Sequence, residues 1–148
     1  MSLPTASTSF TEITITVQWG DMDAAQHVNN TVYLRWMESA RLAMFEKMNK
    51  GSIDFNNIGP ILAWQDCKYI YPVTYPDTIV LQYDVTEIKG DKIICEGKMY
   101  SSNHQRIVAI GNTAIKAYNF VSLKKADIPA GWISVIKDFY GDAVAVRT

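Results

Sequence analysis

The stretch Trp19-Gly20-Asp21-Met22-Asp23-Ala24-Ala25-Gln26-His27-Val28-Asn29-Asn30-Thr31-Val32-Tyr33 brings carboxylates, an imidazole and two side-chain amides together immediately ahead of a long helical pattern. Asp23 stands where a strand gives way to a turn and His27 follows shortly after it, while the Asn29-Asn30 pair suits the start of a helix. Backbone amides at a helix start receive a developing negative charge, and a nearby carboxylate attacks a carbonyl or activates water. Acyl transfer is the chemistry that uses both. Each residue also has a plainer reading. Asp21 and Asp23 are good turn formers, His27 is an ordinary hydrogen-bonded packing residue, and Asn29 is a cap.

The elements that must position these groups are legible in the periodicity. From Glu12 to Trp19 the residues alternate, placing Ile13, Ile15, Val17 and Trp19 on one face of a half-buried strand. From about Asn30 to Lys50 the spacing becomes helical, with Tyr33, Met37, Ala40, Met44 and Met48 on one stripe and Gly51 just beyond as a stop. Val32, Leu34, Trp36, Leu42, Ala43 and Phe45 widen that stripe, so the helix is expected to be central and wrapped on several sides. Tyr33 and Trp36 read first as core. A loop through Gly51-Ser52 and Gly59-Pro60 leads into four antiparallel strands, Leu62 to Tyr71, Thr78 to Ile88, Lys92 to Ser102 and Ile107 to Phe120. Lys89-Gly90-Asp91 and Ser102-Asn103-His104 suit two of the connections. A short C-terminal helix follows Pro129, carrying Trp132, Ile133, Ile136 and Tyr140.

Composition bounds the rest. The chain has 148 residues, 48% of them apolar, enough for one well-packed domain. Residues 1–10 read as a loose Ser- and Thr-rich tail and 11–148 as a single domain. A net charge of −1 argues against a broad basic field for nucleic acid, and no stretch reads as a membrane span or a secretory signal. Cys67 and Cys95 make no metal-ligand pattern and read as reduced thiols of a cytoplasmic protein. No metal site is expected.

The order of elements, the segment Trp19 to Arg41 and the stretch Tyr69-Ile70-Tyr71-Pro72-Val73-Thr74-Tyr75-Pro76-Asp77-Thr78-Ile79 together resemble the hotdog-fold acyl-CoA thioesterases, specifically the 4-hydroxybenzoyl-CoA thioesterase-like branch. The pattern is an Asp-x-Asp, a short turn, an aromatic residue at Tyr33, and an acidic residue ahead of Ala-Arg in the helix, here Glu38-Ser39-Ala40-Arg41. It spans roughly residues 11 to 130. His27-Val28-Asn29-Asn30 also resembles plant-type acyl-ACP thioesterases of the same fold, although Ala25 replaces the middle Asn of their Asp-x-Asn-x-His pattern.

The resemblance implies an α+β hotdog fold, a five-stranded antiparallel sheet wrapped around a long central helix with a short C-terminal helix. It implies hydrolysis of an acyl-CoA or acyl-ACP thioester, with Asp23 as nucleophile or general base, the backbone amide of Asn30 as the oxyanion donor, and His27 as an accessory catalytic group. Asn29 and Tyr33 fall among the substrate-binding positions, and Asp21 stays structural. No cofactor is implied, since CoA or phosphopantetheine belongs to the substrate. A homodimer or a dimer-of-dimers tetramer is implied as well. Other uses of the same fold are hydration or dehydration of an enoyl or hydroxyacyl thioester, and acyl-thioester binding without chemistry.

Overall fold

The computed structural model describes residues 8–49 and 57–147. Met1 to Ser7 of the expected tail and the Gly51-Ser52 part of the expected loop lie outside them. The chain runs β1 (Thr11–Thr16), α1 (Asn30–Met48), β2 (Ile58–Tyr69), β3 (Thr78–Lys89), β4 (Lys92–Ser101), β5 (Arg106–Asn119), β6 (Lys124–Ala126), α2 (Ala130–Tyr140) and β7 (Ala145–Arg147). The main path of the sheet is β1-β3-β4-β5-β2, with β6 added beside β5 and β7 beside β3. The sheet thus has seven strands rather than five, and β7 runs parallel to β3. The two additions are three residues each. Segments this short carry no readable alternation, so their sequence does not announce them.

Period-two alternation sets the two faces. Ile79, Leu81, Tyr83, Val85, Ile93, Cys95, Met99, Ala109, Ile115 and Ala117 are buried along the inner face. Ile13, Ile15 and Val17 point inward as expected, but Trp19 does not. The strand ends at Thr16, a single 3-10 turn spans Trp19–Asp21, and the Trp19 ring is 73% exposed. Gly59 and Pro60 lie inside β2 rather than in the loop before it. Pro60 sits near the start of a strand at the border of the sheet, where a missing N–H is tolerated.

α1 lies on the inner face, with Val32, Tyr33, Trp36, Met37, Ala40, Met44, Phe45 and Met48 buried. The helix is not wrapped on several sides. Arg35, Glu38, Ser39, Leu42 and Glu46 form an exposed flank. The widened stripe reflects the depth of burial on one side, where Tyr33 and Trp36 pack at 5.0 Å and Phe45 meets Trp132 of α2 at 5.0 Å. The close approach of α1 to the sheet depends on two facing glycines. Gly97 and Gly111 are register partners on β4 and β5, and a Cβ on Gly97 would stand 2.5 Å from Met37 Sδ.

Phe10, assigned by sequence to the loose tail, belongs to the core. Its ring is 4% exposed and its N–H donates to Asp84 Oδ1 at 2.9 Å. The same carboxylate oxygen accepts from the Tyr140 hydroxyl at 2.7 Å, which ties the end of α2 to β3. Among the described residues, no helix is long and apolar enough to cross a membrane.

Candidate active site

The segment between the 3-10 turn and α1 is built by short-range hydrogen bonds that its residue types favour. The Gln18 N–H donates to Asp21 Oδ2 at 2.8 Å, and Asp21 Oδ1 lies 3.6 Å from Arg35 Nη2 on α1. The Asp21 carbonyl accepts from the Asn29 N–H at 2.9 Å. Asp21 therefore holds the two ends of the turn together. Within it, Asp23 Oδ1 accepts from the Ala25 N–H at 2.9 Å, the local turn that an Asp side chain prefers. The Gln26 N–H donates to the Asp23 carbonyl at 2.8 Å, and the positive Gln26 φ of 59° turns the following chain back so that the His27 carbonyl accepts from the Asp23 N–H at 3.1 Å.

Asn29 joins this turn to the helix. Its Oδ1 accepts from the Thr31 N–H at 2.9 Å as the N-cap, while its Nδ2 donates to Asp23 Oδ2 at 2.9 Å. With the Ala25 bond, this keeps Asp23 below its ordinary value of 3.8, the Asn29 amide contributing most. Asp23 is exposed and ionised, with both oxygens oriented. Asn29→Ala is expected to cost about 1 kcal/mol of stability as a lost cap. It should also raise the Asp23 pKa toward 3.8, read by NMR titration of the carboxyl carbon.

With Asn29 as cap, Asn30 occupies the first helical position. The Val32 N–H is bonded to the Asn29 carbonyl and the Thr31 N–H to the Asn29 side chain, but the Asn30 N–H has no acceptor among the described residues. Asn30 borders a cleft of about 300 Å³ lined by His27, Val28, Tyr33, Tyr69, Ile70, Tyr71 and Pro72. His27 Nδ1 lies 2.9 Å from the Ala25 carbonyl, which can only accept, so this nitrogen carries a proton and, in the neutral ring, Nε2 is the acceptor. The ring is bonded to the Ala25 backbone and shares no hydrogen bond with Asp23.

The cleft thus brings together His27, Asn30 and Tyr33 of the expected site. Asn29 stands behind Asn30 as its cap. Asp23 is joined to Asn29 but does not line the cleft of the single chain. Tyr33 is 4% exposed and serves core and cleft at once. The opposite wall, Tyr69 to Pro72, enters the sequence analysis as part of the family resemblance, with no site role assigned to it. Tyr69 packs edge-on to Tyr33 at 5.0 Å and donates its hydroxyl to the Asn30 carbonyl at 3.1 Å, while Val73 accepts from the Val28 N–H at 2.9 Å. The run of aromatics ending in Pro72 is the sequence signal for this wall, but its partner across the cleft is set by the fold.

Burial pushes the Tyr33 and Tyr69 phenols up to about 12, so both are neutral donors. Cys67, near both rings, is likewise raised by burial, and Cys95 in the core is pushed up to about 12. Both cysteines are free. Neither thiol is an activated nucleophile. A disulfide exchange reagent is expected to label Cys67 slowly and Cys95 only after unfolding, as mass spectrometry of the labelled peptides will show. Among the described residues, no three His, Cys, Asp or Glu side chains gather as a metal-binding group.

An antiparallel sheet with a helix packed across its inner face fits a hotdog fold. The chain belongs to the thioesterase-like superfamily, whose family model matches residues 17–138, and is by class a thioester hydrolase. No curated protein is significantly similar to the sequence. Solved structures are. A Pseudomonas aeruginosa protein named provisionally as a thioesterase superposes with a TM-score of 0.75 at 25% identity, over 86% of this chain and 98% of its own. The gentisyl-coenzyme A thioesterase BH1999 gives 0.73 at 23% identity, over 81% of this chain and 97% of its own. A 1,4-dihydroxy-2-naphthoyl-CoA thioesterase from Synechocystis gives 0.73 at 17% identity, over 86% and 96%.

Proposed function

We propose that this protein hydrolyses acyl-CoA thioesters, with Asp23 as the reacting carboxylate and the Asn30 N–H as the oxyanion donor. The observation that carries the reading is the free Asn30 amide at an aromatic cleft, with Asn29 linking that helix start to an oriented, ionised Asp23. As the carbonyl becomes tetrahedral, its oxygen gains charge and the Asn30 N–H and helix start favour it. In one route Asp23 adds to the carbonyl carbon, the C–S bond breaks to release the thiolate, and water cleaves the resulting anhydride. In the other, Asp23 takes a proton from water as that water attacks, and the thiolate departs with a proton. His27 Nε2, a free acceptor on the cleft wall, orients water in either route. Tyr33 and Tyr69 bound the acyl group.

The same reading assigns the working unit to a homodimer. β2 ends the main path of the sheet, and this twelve-residue strand exposes Ile61, Trp64 and Tyr69. A long, apolar, unpaired edge favours covering by a second copy. That copy would also close over Asp23, which is open to solvent in the single chain. The two free thiols accord with a reducing, cytoplasmic setting.

The test is free-thiol release from short, medium, long and aromatic acyl-CoAs, with light scattering for the oligomer. Thiol release supports the reading. Hydration of an enoyl-CoA without thiol release, or tight binding of intact acyl-CoA without products, overturns it. Single turnover in heavy-oxygen water then separates the routes, because only the anhydride route can leave the label in Asp23.

A further inference from the structure

A cation, Arg106, lies against Tyr71 of the cleft wall and lines the neighbouring hollow. Beyond Tyr69 the chain stays attached to β5, because the Ile70 and Tyr71 amides both donate to the Val108 carbonyl, at 2.8 and 3.1 Å. This fixes the Tyr71 ring beside the start of β5, where the Arg106 guanidinium carbon lies 4.6 Å from the ring centroid. His104 packs against the same ring at 4.7 Å. The guanidinium is held by stacking rather than by a counter-charge, since among the described residues no carboxylate pairs with Arg106.

Arg106 also has a defined place relative to the reactive groups. Ile70 lines the cleft that holds His27 and Asn30, and it also lines a neighbouring hollow of about 410 Å³ formed with Arg106, Ile107 and Ile110. The two hollows share that wall, with the free Asn30 amide bordering one and the free guanidinium the other.

We propose that Arg106 binds a phosphate of the thiol carrier, its guanidinium stacked on Tyr71, while the thioester carbonyl sits at Asn30 and the carrier's arm crosses Ile70. This rests on the thioesterase reading. The arm of a pantetheine thiol is uncharged, so the first group along it that an unpaired guanidinium would select is a phosphate. The planar N–H fork matches phosphate oxygens in pairs, whereas a lysine offers only a point charge. The apolar Ile70, Ile107 and Ile110 surface suits the arm and offers no competing charge.

The experiment places one acyl group on pantetheine, on phosphopantetheine and on CoA, and compares wild type with Arg106→Gln. The variant is expected to raise KM for the CoA thioester about tenfold, the size of one charge-assisted hydrogen bond at an open site, with little change in kcat. The pantetheine thioester should move far less. Arg106→Lys should recover part of the loss, and added salt should narrow the gap between wild type and variant. A rise shared by the phosphopantetheine thioester places Arg106 on the phosphate next to the arm, and a rise confined to CoA places it on the nucleotide's phosphates; both support the proposal. An equal KM rise for pantetheine and CoA thioesters overturns it, as does a rise that follows a carboxyl group on the acyl chain. Free CoA binding by calorimetry reports on Arg106 without turnover, and equal affinity in wild type and Arg106→Gln overturns the proposal. Wild-type protein that binds CoA but releases no thiol from any of the three overturns the thioesterase reading alone.

Discussion

Asp23→Asn lowers kcat for acyl-CoA hydrolysis by about 10³-fold, a typical contribution of a positioned acid–base or nucleophilic group, with little loss of stability. The carboxylate is exposed, so the folded chain does not depend on burying it. An Asn at this position keeps an oxygen for the Ala25 N–H, but then presents its own NH₂ to the Asn29 Nδ2 donor. The charge and one of the two oriented acceptors disappear together. Thiol release and thermal melting measured on the same samples check the result; near-wild-type turnover in a fully folded variant removes Asp23 from the mechanism. The pH profile is a second readout. Because its hydrogen bonds hold the Asp23 pKa below its ordinary value of 3.8, the carboxylate is more than half ionised at 3.8 and its titration midpoint lies below that value. Activity that requires this ion therefore persists at about pH 5 and is lost only in stronger acid. The same sign applies to stability, where the contribution of these bonds is present above the unfolded value and lost as pH falls through the folded one.

Asp77→Ala has the largest expected effect on stability, about 3 kcal/mol, or roughly 10 °C in melting temperature. Asp77 is 5% exposed at the entry to β3. One carboxylate oxygen accepts from the Thr78 N–H at 2.7 Å and the Asn103 N–H at 3.1 Å, and the other accepts from the Ser101 hydroxyl. Its carbonyl accepts from the Val17 N–H at 3.0 Å. Alanine removes the acceptors of three donors at once, in a place largely closed to water. A stability of about 5–15 kcal/mol cannot absorb many such losses. Asp77→Asn, which keeps one carbonyl oxygen, should cost less. Urea unfolding followed by fluorescence measures both, and an Asp77→Ala protein as stable as wild type would mean that water satisfies those donors. This residue holds the β4–β5 connection against the loop whose Val73 carries Val28 at the cleft, so a distant-looking carboxylate supports the site.

What the sequence determined by itself was local. The alternation of Ile13, Ile15 and Val17, the stripe from Tyr33 to Met48 and the Gly90 turn each follow from the geometry of one element, and each appears where its pattern lies. The cap at Asn29 and the Asx turn at Asp23 are also local, because Asn and Asp side chains reach backbone groups only a few residues away. The tertiary structure decided whatever joins residues far apart in the chain. It drew Phe10 into the core through Asp84, ended β1 before Trp19, and laid α1 on the Gly97–Gly111 pair. It set Tyr69 against Tyr33 and the Asn30 carbonyl, and Arg106 against Tyr71. Those contacts depend on strand register and on which strand neighbours which. Both are settled by packing of the whole sheet, which no local periodicity records.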